Sequence, residues 1–138
     1  DRHRVAEVEC GCRLLVPGDA CPFRLEIYAD DYVKYKLHPK GVPTQHRQPL
    51  TLAVDGVNVS RDGAGNVHIT GRALNHHSVT VDHILVRGEL LDASGHVVNL
   101  DSTALLGDIA PGADIPFDLR IAHEPYVTYR LTAVGIQK

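Results

Sequence analysis

Leu15-Val-Pro-Gly-Asp-Ala-Cys-Pro-Phe-Arg-Leu-Glu-Ile27 returns later in the chain as Ile109-Ala-Pro-Gly-Ala-Asp-Ile-Pro-Phe-Asp-Leu-Arg-Ile121. A second matched block follows each copy, Tyr32-Val-Lys-Tyr-Lys-Leu37 and Tyr126-Val-Thr-Tyr-Arg-Leu131. Pro17 falls on Pro111, an offset of 94 residues that holds without a gap through Gly41 and Gly135. Self-similarity at a long fixed offset marks a structural unit used more than once.

Both copies carry the signals of a turn flanked by strands. Pro17-Gly18 and Pro111-Gly112 are turn dipeptides, because proline presets φ and the glycine after it accepts a positive φ. Phe23, Leu25 and Ile27 alternate with Arg24, Glu26 and Tyr28, and Phe117, Leu119 and Ile121 with Asp118, Arg120 and Ala122. A period of two is that of a half-buried strand. The pattern predicts a hairpin at each site, with Val33, Tyr35, Leu37 and Val127, Tyr129, Leu131 as the next inward rows.

Working outward from the second copy, Leu50, Leu52 and Val54, then Val57 and Val59, lead to a turn at Asp62-Gly-Ala-Gly-Asn66. Val67, Ile69, Gly71 and Ala73 alternate as a strand, and Asn75-His-His-Ser78 is a polar break before the strand Val79 to Leu91. Asp92-Ala-Ser-Gly95 then turns into Val97 to Leu106. No stretch sustains a helical period. Six or seven short strands at turn spacings of about ten residues predict an all-β, immunoglobulin-like Greek-key sandwich.

Gly71-Arg-Ala-Leu-Asn75, Gly88-Glu-Leu-Leu-Asp92 before the Ser94-Gly95 turn, the Ala110-Pro-Gly112 turn and Pro116-Phe-Asp-Leu119 resemble the immunoglobulin-like FxLYD domains and related prokaryotic envelope modules. The resemblance covers Leu52 to Val134 and, in its second half, residues 1–43; Gly88 stands where the family's motif has an aromatic and Leu91 where it has tyrosine. What it implies is a secreted or cell-envelope sandwich, often in tandem, without catalytic residues.

Residues 1–43 correspond to Gly95 through Gln137, the C-terminal half of the unit. The expected organisation is therefore a partial repeat over 1–43, a proline-containing linker over 44–49 and a complete sandwich over 50–138. About 40 residues rarely build a stable core alone, so Val5, Val8, Leu14 and Phe23 are expected to form a surface that something completes. A longer tandem array, strands lent by a neighbouring molecule, and closure onto the whole copy within one chain are the three completions. Pro39, Pro43 and Pro49 make the connector extended and semi-rigid, which favours array or polymer over closure. Simple exchange between copies meets an obstacle, since the chain carries one whole unit and one C-terminal half, with no spare N-terminal half to lend. The chain starts at Asp1 and holds no methionine, so a removed signal peptide or a longer upstream segment is expected.

Composition narrows the function. A net charge of -3 with lysines and arginines scattered among acids gives no basic field for nucleic acid. The longest apolar runs fall far short of the roughly 20 residues a spanning helix needs. Cys10, Cys12 and Cys21 are the chain's three cysteines; their clustering reads as a disulfide in an oxidising compartment, ahead of plain buried thiols and of a metal site, with Cys12–Cys21 and Cys10–Cys21 both open and one thiol left over. His76, His77 and His83 form the densest histidine group, but neighbouring residues on a strand point to opposite faces, so a solvated turn is expected rather than a metal site. Asp30-Asp31 and Asp62 with Asn66 offer oxygens for calcium, though a hairpin turn explains the glycines beside Asp62 equally well. No nucleophile elbow, zinc-protease or phosphate-loop motif is present. Asn58-Val-Ser60 is a glycosylation sequon. These features predict a non-catalytic, cofactor-free extracellular or cell-surface structural subunit that associates head to tail with its own kind, or alternatively a secreted or lipoprotein-type binding module that presents sandwich loops to a ligand or protein.

Overall fold

A computed structural model of the chain describes residues 14–24, 34–43 and 47–138. The described chain is all-β, with six strands: β1 (Pro49–Arg61), β2 (Val67–Leu74), β3 (Val81–Leu91), β4 (Val97–Leu105), β5 (Asp114–Ile121) and β6 (Thr128–Gln137). They form one antiparallel sheet in the order β4-β3-β6-β1-β2-β5, curled so that its ends face each other. No helix among the described residues is long and apolar enough to cross a membrane.

The curl is made by β1. Its first residues, Pro49 to Leu52, pair with β6, while Ala53 to Arg61 pair with β2, and the register slips between Asp55 and Asn58 where Gly56 takes a φ of 62°. A bulge of this kind bends a strand and increases its twist. Leu52, Ile69, Val86, Leu90, Phe117, Leu119 and Ile121 fill the enclosed core. Closure is tight: a Cβ at Gly88 on β3 would lie 2.6 Å from Leu119 Cδ2 and 2.9 Å from Ile121 Cδ1 of β5. The place where the resembled motif has an aromatic thus has no room for one.

Two hairpin turns share one construction. Asp62 Oδ1 accepts from the Ala64 and Asn66 amides at 2.9 Å each, and Asp92 Oδ1 from the Ser94 and His96 amides at 2.8 and 3.0 Å. Gly65 and Gly95 supply the left-handed residue, with φ of 84° and 82°. The Pro-Gly turns recur as the repeat requires: Asp19 N donates to Val16 O and Ala113 N to Ala110 O, both at 3.0 Å, with Gly18 at φ 84° and Gly112 at φ 78°.

The hairpin expectation at Pro111-Gly112 is corrected. Among the described residues β4 pairs with β3, β5 with β2, and β6 with β1 and β3, so none of the three C-terminal strands pairs with another of them. The turn instead carries the chain between opposite edges of the curled sheet, and Asn99 Nδ2 of β4 meets Ala122 O just past β5 at 2.8 Å. The inward row after β5 is also corrected. Val127 is exposed and Tyr129 partly so, whereas Leu131 and Ala133 face the core. Tyr129 stands opposite Leu90, which is buried in the core, yet is itself 37% exposed.

In the first copy, the described residues 14–24 and 34–43 contain the Pro17-Gly18 turn but no strand. The pairing scheme supplies the reason. Strands persist as ladders, and the counterparts of β4, β5 and β6 have no counterparts of β1, β2 and β3 within residues 1–43 to pair with.

Candidate functional site

Residues 20–24 meet the sheet at Arg87, on the face of β3 turned away from the core, and at Asn99 of β4. Arg87 and Glu89 lie on this face, since Val86, Gly88 and Leu90 point inward, and an outward strand face normally meets water. Yet Arg87 is 7% exposed and Glu89 1%. Glu89 Oε1 accepts from Arg87 Nε at 3.1 Å, and Oε2 accepts from Arg130 Nε at 2.8 Å on the neighbouring β6, with Arg130 Nη2 also donating to it. A buried carboxylate needs such partners, because removing its hydration costs several kcal/mol otherwise.

Part of the cover is the first copy. Arg87 Nη2 donates to Ala20 O at 3.2 Å, and Arg24 Nη1 donates to Asn99 Oδ1 at 3.0 Å. Asn99 therefore ties residues 20–24 to β4 and, through its amide, to the chain after β5. Of the four residues expected to form the completion surface, Leu14 is 9% exposed and Phe23 54% exposed, while Val5 and Val8 lie outside the described residues. Cys21 is half-buried at this contact; Cys10 and Cys12 lie outside the described residues, as do Asp30 and Asp31.

The histidines diverge. His76 is exposed, His77 donates from Nε2 to Thr51 O at 2.7 Å, and His83 donates from Nδ1 to Asp82 Oδ1 at 2.9 Å. No group of three His, Cys, Asp or Glu side chains converges among the described residues. Asp62 spends its oxygens on the turn amides and the Asn66 side chain.

A shallow groove lies on the opposite side of the sheet, where the β1 bulge at Gly56 pulls away from Thr70, Arg72, Pro116 and Asp118. Its wall carries an ion pair, Arg72 with Asp114 at 2.5 Å, and beside it His68 hydrogen-bonds Asp118 at 2.7 Å. The Arg72 guanidinium holds the Asp114 carboxyl below its ordinary range. Asn58 follows this bulge and is exposed, so its amide stands open to modification.

The sequence reading missed the Arg87, Glu89, Asn99 group. Its one signal was Arg-Gly-Glu at 87–89, charges interrupting an otherwise apolar strand. Comparison with family models, with curated proteins and with solved structures found no match to this chain.

Proposed function

We propose that this chain is a non-catalytic structural subunit of a cell-surface or extracellular assembly, an immunoglobulin-like Greek-key module whose partial first repeat is completed by strands from a neighbour. The observation that carries the reading is the pairing scheme. The three strands repeated in residues 1–43 are those that, in the whole copy, bond exclusively to β1, β2 and β3 among the described residues. A segment with this composition gains most by meeting a β1-to-β3 segment from elsewhere. Crossing connections from β2 to β3 and from β4 to β5, between the two ends of the curled sheet, support the Greek-key description.

An extracytoplasmic setting fits a disulfide joining Cys21 to Cys10 or Cys12, which peptide mapping without reduction would identify. Negative-stain microscopy and light scattering of native material test the assembly, with periodic particles or large species expected. A monodisperse monomer at all concentrations, with residues 1–43 folded, would exclude it. The groove beside Gly56 supports a second reading, a binding module, which predicts a saturable ligand and resonance shifts at Thr70 and Arg72.

A further inference from the structure

We infer that residues 14–24 have two mutually exclusive seats, and that Arg24 is the latch between them. This rests on the completion reading above. In the first seat the segment lies on its own chain, with Arg24 on Asn99, Ala20 O on Arg87 and Leu14 buried. The second seat is defined by the repeat. In a completed unit Cys21, Phe23 and Arg24 occupy the places of Ile115, Phe117 and Asp118. Phe117 is a core residue covered by β2, and Asp118 faces His68 on the outer side at 2.7 Å. One residue cannot both bind Asn99 and stand opposite a His68 counterpart on an acceptor's second strand.

The same register shows why the half copy does not displace the chain's own β6. Pro39 and Lys40 fall on Ala133 and Val134, which are 1% and 4% exposed and pair with Leu52 and Thr51 of β1 on one side and with Val86 and Leu85 of β3 on the other. A proline there lacks the amide and a lysine places a charge in the core. The fitting partner is a β1-to-β3 segment without C-terminal strands of its own, held through its β2 by residues 20–24 and leaving residues 39 and 40 outside its core.

Arg24→Asp separates the seats, because it breaks the bond to Asn99 and restores the acid that the whole copy has at Asp118. The probe is a dye-labelled fragment of residues 53–91 of this chain, titrated into the full chain and followed by anisotropy. Binding about tenfold tighter for Arg24→Asp than for the natural chain is expected, the effect of one charged hydrogen bond, with Phe23→Asp abolishing it. In parallel, the Asn99 side-chain amide resonances should shift in Arg24→Asp while those of β1, β2 and β5 stay in place, which also shows that the variant folds. Equal affinity of the natural chain and Arg24→Asp would overturn the latch and leave the completion reading standing. Unmoved Asn99 resonances would overturn the docked seat. Shifted Asn99 resonances with no fragment binding by any form would overturn the second seat, and the completion reading with it.

Discussion

Arg87 and Glu89 form an ion pair at 3.1 Å with side chains 8% and 1% exposed, on the face of β3 that points away from the core. Removing one partner of such a pair strands the other. Glu89→Ala is expected to cost about 3–5 kcal/mol in urea unfolding, whereas Arg87→Leu combined with Glu89→Leu costs far less, since Arg130 can turn to solvent. A double variant as unstable as Glu89→Ala would show that packing, not charge, governs this face.

Asn75 pins the β2–β3 connection to the turn before β5. Its Nδ2 donates to Val79 O at 2.8 Å and Ile109 O at 2.9 Å, its Oδ1 accepts from the His77 amide at 2.9 Å, and its backbone bonds Ala113 and Gly112. Asn75→Ala removes the side-chain donor to Val79 O and the acceptor of the His77 amide, while Ile109 O keeps the Val81 amide, and should lower stability by about 2 kcal/mol. A thermal midpoint unchanged by this substitution would contradict that role.

Gly135 lets β6 approach β3. A Cβ there would sit 2.3 Å from Val81 Cγ1 and 3.0 Å from Asp82 O. Gly135→Ala should therefore destabilise by about 1–3 kcal/mol, and by more than Gly88→Ala, whose new methyl meets the movable ends of Leu119 and Ile121. Differential scanning calorimetry of the two variants checks the order.

Asp82 couples stability to acid. The hydrogen bond from His83, then that from Arg47, holds its carboxyl below the ordinary value against the opposing effect of burial. A carboxyl depressed in the folded state contributes stability above its unfolded pKa and loses it as pH falls through the folded one. Asp82→Asn should therefore differ from the natural chain at pH 6, and the two melting curves should converge as pH falls below the ordinary carboxylate range. Curves that remain parallel down to pH 2 would assign the difference to another group.

Strand positions were legible because they depend on local alternation: β2, β3, β4 and β5 fall where Val67, Val79 to Leu91, Val97 and Phe117 predict them. Strand partnership was not legible. That β5 seeks β2 rather than β4 depends on the bend at Gly56 and on side chains meeting across the curl, such as Leu119 over Gly88. Asn75 looked like part of a polar break, because a buried amide and an exposed one have the same letter. Arg87 and Glu89 escaped notice for a similar reason, since Arg87 meets Ala20 and Glu89 meets Arg130, both far off in sequence.

The opening of β1 beside the close of β6 has a mechanical meaning. Pro49 stands opposite Ile136, and the Gln137 amide donates to Gln48 O at 2.9 Å, so both ends of the module leave from one pole. Tension applied at Gln48 and Gln137 would load these hydrogen bonds singly, in sequence, as a zipper opens, instead of shearing them together. In an assembly of the kind proposed above, force would have to enter elsewhere to be resisted by many bonds at once, and strands paired with residues 1–43 would offer that other point of attachment.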